Sequence, residues 1–253
     1  MDSLTSFDYL CNEPIFINGI GNVKCPTLRD IRKTTYHIFS IYINFLSVSL
    51  DDYLKIYGLK EKYDLLSDQE KICNGLFNLL LYGNTQLLYD ILKFFLIEDF
   101  EFNQETDEID VFKQIGDKKC FVGHLNSKNF DLFREELKCV LGVNNHEESE
   151  PKFKNSLAEK MFAKFKKHNE NIKKKSDENY ELSNMIKKYC THNKVGINIL
   201  NVWDMTYFQF MTMFSEYCNG RQHDFNDMMA ANTFQYKKSS DYKPMDYMRR
   251  LNK

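Results

Sequence analysis

Apolar positions along this chain recur mostly every three or four residues, and turn residues punctuate them. That spacing is the signature of amphipathic helices. Residues 13–25 break the rule: Ile15, Ile17 and Val23 are strand formers, and Asn18-Gly19 supplies turn chemistry, so a short hairpin is predicted. Pro26-Thr27 then opens a helix, with Thr27 as N-cap and Asp30 three residues on. Leu28, Ile31, Ile38, Ile41 and Phe45 fall on one face of it. The next helix follows Ser49 and stops at Gly58. Ser67 with Glu70 forms a capping box before Ile72, Leu76, Leu79 and Leu80, and Gly83 ends that run. Asn84 or Thr85 starts a further helix through Leu88, Leu92 and Phe95.

Residues 94–102, 109–112 and 120–125 have strand character. The stretch between, 98–110, holds Glu98, Asp99, Glu101, Glu105, Asp107, Glu108 and Asp110 and no Lys or Arg. Asn126 or Ser127 then caps a helix bearing Phe130, Phe133, Leu137, Val140 and Leu141, ended by Gly142. A small antiparallel sheet with a helix packed on it is expected.

Residues 143–151 are a polar break. Beyond them, 151–175 carries nine lysines against Glu159 and Glu170. Phe153, Leu157, Met161 and Phe165 in its first half predict an amphipathic helix. The rest of the chain is helical again. Ser183 caps one helix with Ile186, Tyr189 and Cys190. After a loop at Gly196, Thr206 and Gln209 cap another, with Met205 and Phe210 placed as a hydrophobic staple. Tyr207, Phe210, Met211, Phe214, Tyr217 and Cys218 form its inner stripe, and Asn219-Gly220 is expected to end it. A last helix starts at Asp224, with Asp227 three residues on, and carries Phe225, Met228 and Met229; the tail from Phe234 is polar. The expected fold class is mainly α with a small antiparallel β element: an α+β N-terminal domain (1–142), a polar Lys-rich connector (143–180) and a small helical C-terminal domain (181–253).

Composition narrows the function classes. The 253-residue chain is 43% hydrophobic and 28% charged, enough apolar material for real cores. A formal net charge of −2 argues against a dedicated duplex-DNA binder, whose affinity comes from neutralising phosphates. Residues 1–9 lack a basic start and an apolar run, so no signal peptide is read there. No long apolar stretch is free of charge, which leaves nothing to span a membrane. The seven cysteines are odd in number and scattered, a pattern for reduced thiols in a cytoplasm rather than for a disulfide framework.

Candidate chemistry is sparse. Gly19-Ile20-Gly21 hints at a dinucleotide loop, but Lys24 stands where a third glycine belongs. Cys190, His192, Cys218 and His223 match no compact zinc spacing. The acidic stretch lacks the alternation and central glycine of a calcium loop, and reads as a solvated hairpin or a face for a basic partner. No nucleophile elbow, His-Glu-x-x-His helix or P-loop is present, so no catalytic residue, metal ligand or cofactor site is assigned and the chain is read as a non-enzyme. The Lys-rich segment is either a solvated linker helix or a surface for nucleic acid or acidic protein. It lacks interleaved Tyr or Trp for base stacking.

One feature points to protein partners. Phe208 and Met213 fall at or beside the polar Gln209, Thr212, Ser215 and Glu216 face, and Trp203 stands just before that helix. Either another helix covers Phe208 and Met213, or they and Trp203 form a contact patch for a helical client.

Two stretches carry a family likeness. One is Asn12-Glu13-Pro14-Ile15, Gly19-Ile20-Gly21 and Cys25-Pro26-Thr27-Leu28-Arg29-Asp30-Ile31. The other is Leu200-Asn201-Val202-Trp203-Asp204-Met205-Thr206-Tyr207-Phe208-Gln209, followed by Phe214. Together they resemble tail assembly chaperone-like proteins of long-tailed phages of Gram-positive bacteria. The resemblance implies a non-enzymatic cytoplasmic protein that binds the tape-measure protein, keeps it soluble during tail assembly and is usually absent from the finished virion. Possible self-association, a structural component retained in the particle, and nucleic-acid binding through the connector stay open beside it.

The polar, Lys-rich span flanked by apolar-patterned regions should be the first site of limited proteolysis. Trypsin is expected to cut between residues 146 and 180 before any site in 28–95, as read by mass spectrometry of the early fragments.

Overall fold

A computed structural model describes residues 4–73, 75–116, 118–143 and 181–231. The connector with its expected helix at Phe153–Phe165, and the tail from Phe234, lie outside the described residues. The chain divides into two compact units: Met1–His146 together with Asp204–Phe208, and Glu147–Trp203 together with Gln209–Lys253.

The first unit opens with the hairpin β1 (Ile15–Ile17) and β2 (Gly21–Val23), paired antiparallel with Ile15 opposite Val23. Seven helices follow: α1 (Leu28–Thr34), α2 (Tyr36–Ser47), α3 (Leu50–Ile56), α4 (Lys60–Asp64), α5 (Asp68–Cys73), α6 (Leu76–Gly83) and α7 (Thr85–Phe95). An antiparallel sheet of β3 (Asp99–Asn103), β4 (Glu108–Ile115) and β5 (Lys118–Leu125) comes next, in order β3-β4-β5, and α8 (Phe130–Leu141) ends the run. The fold is α+β, with most elements helical.

Side-chain caps set several helix starts. The Ser49 hydroxyl accepts from the Asp52 amide, and Ser67 and Glu70 close the predicted box, with the Ser67 amide and hydroxyl both donating to the Glu70 carboxylate. Gly142 ends α8 in the left-handed conformation. Two expectations need correction. The helix after Thr27 is not continuous: Thr35 takes a φ of 79°, ending α1 and starting α2. The break shifts the helical phase, so Ile38 and Ile41 are exposed, and Phe39, Tyr42 and Leu46 are buried beside the expected Phe45. The larger rings of Phe39 and Tyr42 both pack against Phe94. The run 94–102 is not one strand either. Helix α7 extends through Phe95, and only Asp99–Asn103 is extended.

The hairpin is tied into the core by main chain. The Lys24 amide donates to the Phe95 carbonyl, Ile97 to Asn22, and His124 to Gly19. The last contact explains Gly123. A Cβ there would sit 2.3 Å from the Gly19 carbonyl oxygen, so the hairpin turn can approach β5 only over a glycine. The apolar faces of α7, α8 and the sheet then close over one core, in which Leu88, Leu92, Phe95, Ile109, Val111, Phe133 and Leu137 are fully buried.

A buried arginine secures the end of α2. Arg134 on α8 donates from Nε and Nη2 to the Leu46 carbonyl at 3.1 and 2.7 Å, and from Nη2 to the Val48 carbonyl. These helix-end carbonyls have no partner further along the helix.

In the second unit, α9 (Leu182–His192) starts one residue before the expected cap Ser183 and buries Leu182, Met185, Ile186 and Tyr189. The other helix, α10, is corrected most: Tyr207–Ala231 is a single helix through Asn219-Gly220. A lone helical glycine costs only about 1 kcal/mol relative to alanine. Pairs one turn apart, Gln222 with Asn226 and His223 with Asp227, bridge the stretch just after it. Tyr189 packs edge-on against Phe210 and Tyr217, joining the two helices.

Arg134→Met should cost about 2–3 kcal/mol, because it leaves the Leu46 and Val48 carbonyls without their donor. Lys138→Met should be close to neutral or stabilising: among the described residues the buried Lys138 side chain pairs with the exposed Glu135 alone. Urea unfolding of both variants distinguishes the two effects.

Candidate functional site

The two stretches that carry the family likeness meet in the first unit. Thr27 begins α1 with a complete capping box. Its hydroxyl oxygen accepts from the Asp30 amide at 3.1 Å, while its own amide and hydroxyl donate to Asp30 Oδ2 at 3.2 and 2.9 Å. Beside this turn lies Asp204–Phe208, in which Met205 and Thr206 join a 3-10 turn ending at Asp204 to α10, which begins at Tyr207. Thr206 bridges Thr27 in antiparallel fashion, the Leu28 amide donates to the Met205 carbonyl at 2.9 Å, and the Tyr207 amide donates to the Pro26 carbonyl at 2.8 Å. Each segment thus satisfies amides that begin the other's helix, where no intrahelical acceptor exists.

Side chains complete the clasp. The Arg29 guanidinium donates to Asp204 Oδ1 through Nη2 at 2.6 Å and Nε at 3.1 Å. Tyr207 is buried, its ring edge-on to Phe39 at 5.2 Å between centroids. Burial pushes its phenol pKa up to about 12. Thr206 is fully buried. Phe208, half-buried, lies against Tyr9 at 5.8 Å. A Cβ at Gly142 would come within 3.1 Å of the Phe208 ring, so the αL glycine that ends α8 also makes room for it. The Tyr9 hydroxyl donates to Glu136 on α8.

The three residues read as a contact patch are distributed. Phe208 counts with the first unit; Trp203 and Met213 count with the second. Trp203 is half-buried and its indole donates to the Ile199 carbonyl at 2.8 Å. Met213 is exposed and lines a cleft of about 530 Å³ with Tyr189, Val195, Tyr217, Phe225 and Met228. Lys194, Glu216, Arg221 and Asp224 also line it. Phe225 and Met228 are half or more exposed. The Tyr189 hydroxyl is buried with no hydrogen-bond partner among the described residues. Sequence reading missed this cleft, because the expected break at Gly220 separated Met213 from Phe225 and Met228; an unbroken helix sets them along one face, with Tyr217 and Arg221 between them.

Residues 172–252 match the YomV second domain. This is a phage-associated family, and the likeness points to a phage protein. No curated protein and no solved structure matches the chain. The YomV-like region includes every described residue from Glu181 to Ala231, and therefore includes Asp204–Phe208. By sequence that segment belongs to the YomV-like domain; by packing it belongs to the N-terminal unit.

Other candidate chemistry resolves into structure. Gly19-Ile20-Gly21 is the turn of the β1–β2 hairpin. Much of the acidic stretch has partners within the chain: Glu98 accepts from the Asn22 amide and side chain, Glu101 pairs with Lys119, Asp107 accepts from Tyr82, Glu108 from Asn126 and Asp110 from Asn103. Among the described residues no three His, Cys, Asp or Glu side chains converge as metal ligands, and no helix is long and apolar enough to cross a membrane.

Thr27→Ala should cost about 1 kcal/mol by removing the cap. It should also change acid sensitivity. Burial raises the Asp30 pKa, but the Thr27 hydrogen bonds and the charges of Lys24 and Lys33 outweigh it, so the carboxyl titrates below its ordinary 3.8. A depressed carboxylate stabilises the fold fully above its unfolded value, and that contribution disappears as pH falls through the folded value. Urea unfolding across pH 2–5 should therefore show a shallower acid decline for Thr27→Ala than for wild type.

Proposed function

We propose that this chain is a non-enzymatic phage tail assembly chaperone that binds the tape-measure protein, or a similarly helical client, in the host cytoplasm. The observation that carries the reading is the clasp. The two stretches resembling tail assembly chaperone-like proteins lie far apart in sequence and form one structural element through Pro26–Arg29 and Asp204–Tyr207. The YomV-like region supports the phage setting.

In this reading the client contact is the cleft of the second unit. Its Met213, Phe225 and Met228 side chains are exposed, apolar and adaptable, which suits the apolar face of a client helix of varied sequence. Phe208 supports the domain rather than the client, since its ring rests on Tyr9.

Co-expression of a tape-measure client with the full chain should yield soluble, co-purifying client. Phe225→Asp and Met228→Asp, at exposed positions, should keep the chain folded and return the client to the insoluble fraction. Failure of the wild-type chain to solubilise the client overturns the chaperone reading; variants that match wild type overturn only the cleft as the contact surface.

A further inference from the structure

Asp204–Phe208 has the form of a bound peptide. The rest of its compact unit ends at His146, so the segment reaches the unit from a distant part of the sequence. It is held by two main-chain hydrogen bonds, from the Leu28 amide to Met205 and from the Tyr207 amide to Pro26, by the Arg29–Asp204 pair, and by two aromatic contacts, Tyr207 on Phe39 and Phe208 on Tyr9. Thr206 makes a single bridge to Thr27, so main-chain bonds contribute affinity over one short crossing and the side-chain contacts beside it contribute specificity.

We infer that the N-terminal unit is a receptor for this segment, and that the same groove takes Asp204–Phe208 from a second copy of the chain, joining copies head to tail. Three observations lead there. All the receptor groups, from Tyr9 through Gly142, precede the connector. The segment is part of the YomV-like domain by sequence, so the groove already binds a piece of a different domain. Arg29 and Asp204 are both half or more exposed as they pair, so the seam is open to solvent at that end. A contact made between copies uses the same atoms as the internal one. Only the higher effective concentration of a tethered segment favours the internal form. Because groove and segment are different surfaces, the exchanged contact is heterologous and extends into chains or rings rather than being confined to a symmetric pair. This inference does not depend on the chaperone reading.

The test uses the full chain and a fluorescein-labelled peptide of residues 200–211. Tyr207→Ala releases the internal segment; Asp204→Lys, at an exposed position, is a milder release that preserves the core. Fluorescence anisotropy should show the peptide binding either folded release variant about tenfold or more tightly than wild type, whose groove is filled. Adding Arg29→Glu to Tyr207→Ala should abolish the gain, and an Asp204→Arg peptide should restore it. An equimolar mixture of Tyr207→Ala chain, with an open groove, and Arg29→Glu chain, with a free segment, should form a 1:1 complex by light scattering. Each alone should remain monomeric. Peptide binding no tighter to a folded release variant than to wild type overturns the receptor assignment. Peptide binding without complex formation in the mixture overturns the link between copies.

Discussion

The pairing of Pro26–Leu28 with Met205–Tyr207 is the contact on which the arrangement of the chain depends. Two helices begin there, and each begins with amides that its own backbone cannot satisfy. The chain resolves both at once by laying the segments antiparallel, so that Leu28 bonds Met205 and Tyr207 bonds Pro26. Thr206 is fully buried at the crossing. The consequence reaches beyond the turn. Tyr207 adds its ring to the aromatic group around Phe39 and Phe94, and Phe208 adds its own to Tyr9. The N-terminal unit is therefore completed by residues encoded far downstream of its last strand and helix.

Around that contact the unit is built with few spare polar groups. Arg134 is held among apolar neighbours because two helix-end carbonyls need donors there. Glu98, nearly buried, serves the hairpin by accepting from Asn22 on β2. The other acids of its stretch engage Lys119, Tyr82, Asn126 and Asn103. A stretch that reads as a solvated hairpin or as a face for a basic partner forms the β3–β4 hairpin, and much of its charge is engaged within its own sheet and with neighbouring elements. In the second unit Met213, Phe225 and Met228 line a cleft beside Tyr189. The proposed role is one of binding.

Much of this fold was legible in the sequence because its signals are local. Thr27, Ser49 and Ser67 announce helix starts through bonds to residues three positions on. Asn18-Gly19 announces a hairpin turn, Gly142 a helix end, and alternating Ile109 and Val111 a strand with one buried face. The same kind of signal failed where packing outweighed it. Thr35 interrupts an apolar stripe that runs on in sequence, since breaking there lets Phe39 and Tyr42 turn toward Phe94. Gly220 does not interrupt α10, because its cost is small and the helix is bridged just beyond it.

The candidate sites divide in the same way. Sequence alone determined which stretches matter: it marked residues 12–31 and 200–209 as distinctive and Trp203, Phe208 and Met213 as surplus to a simple apolar stripe. Only the tertiary structure decided what they touch. Periodicity reports which side of a helix is apolar but carries no information about what that side meets, so Phe208 on Tyr9 and Met213 in an open cleft look alike in one dimension. The clasp was equally hidden, since its hydrogen bonds join main-chain atoms, which every residue other than proline supplies in the same form. Capping is written in neighbouring residues and can be read; the pairing of one cap with another is written only in space.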